Sequence, residues 1–299
     1  MKSRNTTFTN ATSSSTAFRC MQCCSTSAAR VARGVRPSGL GDAPDRRGNC
    51  PAARAMAGVM ALAMMGFAPA HAGVIGSVTL ASDYIFRGVS QTNGDPAVQA
   101  GVEYAADSGV YAGAWGSNVS WLSDYGATGL AVSNSLELDV CAGYRGKLGE
   151  RVSYDVGALY YGYPGDYPAG FNRPDTGEVY AGLTVAATDA LSLGAKYSHA
   201  VTDLFGYVDS DGSGYLDVNA TYALGGGWTL VAHGGEQWIE GNEAYEYADW
   251  KLGVSKAFDN GFSLGLAYTD TDADEALYTN GYGHDIAGSA VALSVSKGF

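Results

Sequence analysis

Three histidines after residue 72 are the first groups to test for chemistry: His199, His233 and His284. Ser198 adjoins His199, but in extended chain adjacent side chains point to opposite faces, so the two cannot pair as nucleophile and base. His233 alternates inward and could meet an acid. His284 has no evident serine partner, and there is no G-x-S-x-G motif. No catalytic residue is assigned, and an outer-membrane hydrolase would need a geometry that these histidines do not offer.

Two acidic runs invite a calcium reading. "DSDGSGYLD" (209–217) has the Asp211–Gly212 pair of an EF-hand loop, but no Glu follows six residues later and Tyr207 stands at the first ligand position. "DTDADEAL" (270–277) spaces Asp270, Asp272 and Asp274 correctly, yet places Glu275 where the turn glycine belongs. Both read as solvated acidic loops. Cys23 and Cys24 have no ligand-spaced partner, and Cys141 is the one cysteine after residue 72, so neither a metal nor any other cofactor is expected. Tyr161, Tyr163 and Tyr167, in or beside "YYGYPGDYP", would stiffen a loop, join an interfacial girdle, or offer sugars and aromatic solutes a stacking surface.

The elements that must carry these residues lie in residues 73–299. Residues 1–72 read as a leader: a Ser-, Thr- and Arg-rich start, then "MAGVMALAMMGFAPAHA" with a small-x-small ending that predicts cleavage near Ala72/Gly73. That apolar stretch has the length of a signal peptide and falls short of the roughly 20 residues of a membrane helix. Residues 73–299 hold 9 of the 18 Lys and Arg but 28 of the 30 acids, a net charge of −19. Nucleic acid is not a partner for such a surface.

Period-2 alternation dominates this region. In "SLELDVCAGYR", Leu136, Leu138, Val140, Ala142 and Tyr144 alternate with Ser135, Glu137, Asp139, Cys141, Gly143 and Arg145. Twelve such runs are expected, near 77–87, 97–105, 110–119, 135–145, 151–162, 178–186, 191–199, 215–222, 228–235, 246–256, 262–270 and 289–299. Five short turns, including "GKLGE" and "AFDNG", alternate with six longer connections. An even strand count with alternating short and long connections is the pattern of an all-β, antiparallel, up-and-down transmembrane barrel of the bacterial outer membrane.

Alternation alone also suits a soluble sandwich. Aromatics at strand ends on the apolar face favour the barrel, as interfacial girdles: Tyr84, Phe86, Tyr104, Tyr144, Tyr197, Tyr222, Trp228, Phe262, Tyr268 and Phe299. So do glycines on the other face, which admit curvature and leave room for large neighbours. An exporting leader without a membrane helix agrees. The last strand must then pair with the first, because backbone groups at membrane depth have no water to bond. Phe299 becomes an anchor at the inner interface.

Reading inward positions from the alternation places Asp83, Glu103, Glu137, Asp139, Asp155, Glu178, Asp217 and Asp249 on the lumen wall with Arg87, Arg145, Lys196 and Lys251. Eight acids against four bases give a negative interior, which suits a narrow, cation-leaning passage for small polar solutes. The alternative is a lumen filled by ion pairs and tyrosines, in a structural or adhesive barrel that acts through its acidic outer loops. Twelve strands lie between the eight that side chains fill and the 16 to 18 that leave an open channel.

"LASDYIFRGVSQTNGDPAVQAGVEY" (80–104) and "GVYAGAWGSNVS" (109–120), with "LELDVCAGYRG", "YDVGALYYGYPG", "GEVYAGL", "YADWKLGVSK" and "SVSKGF", resemble the TorF family of outer-membrane porin-like proteins across essentially all of residues 73–299. The resemblance implies a barrel and a pore, and brings no substrate or catalytic residues with it. The terminal aromatic also resembles the signal read by the barrel assembly machinery. Outer-membrane lipid and lipopolysaccharide are the other expected partners.

Overall fold

The computed structural model describes residues 73–299. The leader and its cleavage near Ala72/Gly73 lie outside the described residues. Fourteen strands follow in order among those described: β1 Gly73–Ala81, β2 Ile85–Phe86, β3 Val89–Ser90, β4 Ala97–Ala105, β5 Val110–Asn118, β6 Leu136–Leu148, β7 Val152–Gly162, β8 Thr176–Ala186, β9 Leu191–Ala200, β10 Gly214–Gly225, β11 Trp228–Trp238, β12 Tyr247–Ala257, β13 Phe262–Thr271 and β14 Ala290–Gly298. All but β2 and β3 form one closed antiparallel barrel of twelve strands. Each barrel strand pairs with its chain neighbour, and β14 returns to β1 through Ser77↔Gly298 to Ala81↔Ser294.

The outward side chains form a continuous apolar surface. Val74, Val78 and Leu80 of β1, Val98 and Val102 of β4, Leu138 and Val140 of β6, and Leu264 and Leu266 of β13 are all exposed. A surface this apolar on every strand needs acyl chains as its solvent. Tyr104, Tyr144, Tyr197, Tyr222, Trp228, Phe262, Tyr268 and Phe299 are exposed at the expected girdle positions.

At the barrel seam, the Gly76 and Phe299 amides exchange backbone hydrogen bonds, at 2.9 and 3.0 Å. The Phe299 ring lies across Gly76, where an added Cβ would sit 2.5 Å from the ring. An outward glycine on an end strand is thus covered by the aromatic of its neighbour.

The first strand departs from expectation. It runs over Gly73–Ala81 instead of 77–87, and the rest of that apparent strand turns into the barrel as the hairpin β2–β3. Arg87 and Gly88, at φ 42° and 80°, make its tip. The paired positive φ values suit a two-residue hairpin turn. Tyr84 and Phe86 therefore do not belong to the girdle: they are 1% and 0% exposed and pack inside. Their alternation was real, but the apolar partner is protein instead of lipid.

The long connections also fold inward and share an aromatic core with the long-loop end of the barrel. Trp121 meets Tyr163 edge-on at 5.5 Å, Phe205 contacts Phe86 and Tyr161 at 5.9 and 5.1 Å, and Tyr278 contacts Tyr247 at 5.4 Å. Tyr161 and Tyr163 are wholly buried, so neither offers a face at the rim; Tyr167 instead stacks on Phe171 at 5.5 Å. The loop acids cap backbone. Asp272 accepts from the Ala248 amide at 2.7 Å, and Asp274 from Ala276 at 2.9 Å, at the start of a one-turn helix, Glu275–Tyr278.

Candidate functional site: the barrel interior

Inward positions alternate with lipid-facing ones on every strand, so the chain's polar residues are gathered inside by the same period that greases the exterior. The side chains of Asp83, Arg87, Glu103, Glu137, Asp139, Glu178 and Asp249 are buried, while those of Arg145, Asp155, Lys196, Asp217 and Lys251 keep partial exposure. Asp83 and Arg87 reach the interior from the hairpin and not from a barrel strand, which corrects the route although not the side. The structure sorts most of these residues into three bonded groups.

Nearest the short turns, Arg145 on β6 donates to both oxygens of Glu103 on β4, at 2.6 and 2.9 Å, and to Asp155 on β7 at 3.2 Å. Its guanidinium lies 3.6 Å over the Tyr111 ring. The Tyr111 hydroxyl donates to Asp155 at 2.6 Å and bonds the Tyr180 hydroxyl. Tyr180 fits because β7 offers Gly157 beneath it: a Cβ there would meet the Tyr180 hydroxyl at 2.6 Å. The ammonium of Lys196 sits 5.3 Å from the other side of this belt, at the Tyr180 ring.

On the far wall, His233 of β11 is flanked by two acids. Its Nδ1 is 2.8 Å from Asp217 and its Nε2 is 2.7 Å from Asp249, with the Tyr215 hydroxyl donating to Asp249 at 2.7 Å. Only a ring with N–H on both nitrogens donates to both carboxylates. The inward alternation of His233 found its acid, twice over. With carboxylates on both nitrogens the ring has no free lone pair to act as a base, so the geometry is that of an ion-pair network.

The third group closes the long-loop end. The hairpin springs from between β1 and β4 and crosses the barrel, where Arg87 meets Glu178 of β8 in a two-pronged bond at 2.9 and 3.0 Å. Arg87 also donates to Gln237 of β11 at 2.6 Å and lies 4.1 Å over the Tyr215 ring of β10. Gly88 presses against Thr271 and Asp249, so a side chain at the tip would collide with the wall. Further bonds tie the hairpin to two long loops: Ser90 N to Ile286 O at 2.7 Å, and Ser120 N to Gln91 O at 2.8 Å. Sequence reasoning missed this strap. Its available signal was "RG" at 87–88, a hairpin-turn pair inside an alternating run.

Opposite the belt, the wall of β12–β14 and β1 presents small residues inward: Ser255, Gly253, Ser263, Gly265, Ser294, Ser296, Ser77 and Thr79, all partly exposed. Bulky charged groups thus stand on one wall and small, partly exposed residues on the other.

Residues 68–299 match the family described as "Bacterial protein of unknown function (Gcw_chp)". No curated protein sequence matches. Among solved structures, a KdgM porin is similar at 10% identity and TM-score 0.49, over 76% of this chain and 98% of that one. A NanC porin matches at 14% identity and TM-score 0.47 over 75% and 98%, and a CymD monoaromatic hydrocarbon channel at 9% and 0.42 over 77% and 88%. Likeness this distant carries no assignment of function.

Proposed function

We propose that this chain, which belongs to the Gcw_chp family of bacterial proteins of unknown function, is an outer-membrane channel for small polar solutes, with its long-loop half narrowed by the hairpin of residues 82–96. The observation that carries the reading is a sealed barrel with an apolar exterior and an interior wall of small hydroxyls and glycines that water can reach. The resemblance of residues 80–104 and 109–120 to the TorF porin-like family supports the same reading. Outer-membrane lipid and lipopolysaccharide would surround the barrel, and the assembly machinery would read Phe299.

Charge selectivity follows from what a passing ion meets. Five of the eight interior acids, Glu103, Glu137, Asp139, Glu178 and Asp249, are at most 4% exposed. The groups that keep contact with water are Asp155 and Asp217 on one side of the count and Arg145, Lys196, Lys251 and the His233 ring on the other. The cation preference expected from eight acids against four bases therefore comes from the summed field of the wall and is weak.

The hairpin and the aromatic loop core favour a second reading: a barrel held shut, working through its loops as a structural or adhesive element. Planar-bilayer recording of the purified protein separates the two. Discrete conductance steps with a small cation preference are expected. A silent bilayer would leave the shut barrel as the better account. No catalytic residue is proposed.

A further inference from the structure

Six of the eight interior acids have partners suited to their charge. Glu103 and Asp155 share Arg145, Glu178 holds Arg87, and Asp217 and Asp249 flank His233. Asp83 accepts from the Ser90 and Thr92 hydroxyls at 2.6 and 3.0 Å. Glu137 and Asp139 on β6 are different. Both are sealed from solvent, at 0% and 1% exposure, and neither enters an ion pair among the described residues. Both oxygens of Asp139 and Oε2 of Glu137 accept no hydrogen bond. Glu137 Oε1 receives only the Tyr84 hydroxyl, at a long 3.3 Å.

Two residues apart on one strand, the carboxylates lie on the same face. A third polar group comes from another element: the Tyr163 hydroxyl, wholly buried, interacts with Glu137 but lies outside good hydrogen-bond geometry. Aromatic residues enclose the pair. Trp115 and Tyr161 stand directly across from Asp139 on the neighbouring strands, and Tyr84 packs edge-on against Trp115 at 5.5 Å. Burying carboxylates with no compensating charge is strongly unfavourable, so such a pair either takes up protons or meets a cation.

We propose that Glu137 and Asp139 form a binding station for the primary ammonium group of a small solute. Three unfilled carboxylate oxygens match the three N–H donors of an ammonium. The surrounding aromatic faces suit both the cation and an alkyl stem. A calcium-like ion wants six or more oxygens, which two side chains do not provide, and no group of three metal-ligating residues is arranged for one among those described. Tyr84 and its hairpin cover the pair, so a ligand gains it by displacing the Tyr84 side of the strap. The inference deepens the channel reading and rests on it for the route by which solute arrives.

The test is titration calorimetry on the full protein in detergent micelles, with ethylammonium chloride against tetramethylammonium chloride at constant ionic strength. Saturable heat is expected with ethylammonium and none with tetramethylammonium, which has no N–H to donate. Asp139→Asn should weaken binding about tenfold or more, as loss of a charge-assisted hydrogen bond does, while keeping the gel shift of an intact barrel on heating. Glu137→Gln is the second variant should Asp139→Asn not fold. No saturable ethylammonium binding in the natural sequence would overturn the proposal, as the result expected if the pair simply holds protons. Equal affinity for tetramethylammonium, or unchanged affinity in a folded variant, would overturn it too. Bilayer conductance is scored separately: binding without conductance removes the channel and keeps the station, and conductance without binding does the reverse.

Discussion

Arg87 and Glu178 are joined by two hydrogen bonds, at 2.9 and 3.0 Å, from a hairpin tip that has crossed the barrel to reach β8. Both side chains are 2% exposed. The pair helps to hold residues 82–96 across the lumen, together with Gln237, the Tyr215 ring and the backbone bonds to two long loops.

Removing the arginine should therefore act on conduction and stability together. Arg87→Ala leaves Glu178 buried without its cation, a loss of about 3 to 5 kcal/mol for a pair of this burial. The double variant Arg87→Ala, Glu178→Gln should recover part of that loss. Single-channel recording is expected to show larger steps in both variants than in the natural sequence. Steps of unchanged size would mean that the strap does not narrow the passage.

Phe299 and Gly76 supply a test of closure. Gly76→Val places a branched side chain where the Phe299 ring lies, and an added Cβ alone would stand 2.5 Å from it. Overpacking of this kind costs about 1 to 3 kcal/mol. The barrel should lose its heat-dependent gel shift at a lower temperature, and Phe299→Ala in the same chain should restore part of the difference. A double variant no better than Gly76→Val would show that the ring is not the obstacle.

His233 is the centre of the second network, held between Asp217 and Asp249 at 2.8 and 2.7 Å. His233→Leu strands both carboxylates and should destabilise the barrel by about 3 kcal/mol. His233→Gln, which still donates one hydrogen bond, should lose less. The urea midpoint of tryptophan fluorescence would rank the two, and equal midpoints would mean that the flanking acids do not depend on the ring.

How far the fold was legible is clearest from β4 onward. Eleven of the twelve barrel strands begin or end within a few residues of the alternating runs, because a strand between lipid and lumen writes its two environments into every second residue. The pairing of β14 with β1 follows from the same physics, since no edge can stay open at membrane depth. Glu103, Asp139 and Lys196 each lie between two exposed apolar neighbours on those strands.

Residues 82–96 and the long loops could not. Tyr84 and Phe86 alternate as lipid-facing residues do, yet they meet Trp115, Tyr161 and Phe205 inside the barrel. Alternation records that one side of a local backbone is apolar, and not whether lipid or protein covers it. Arg87 finds Glu178 at a separation of 91 residues, and Trp121 finds Tyr163 across two loops. Sequence by itself determined the wall of this protein, because each wall residue answers to its nearest neighbours and to the solvent on its own side. Only the tertiary structure decided what fills the wall, because that depends on which distant charges and rings the closed cylinder brings within reach of one another.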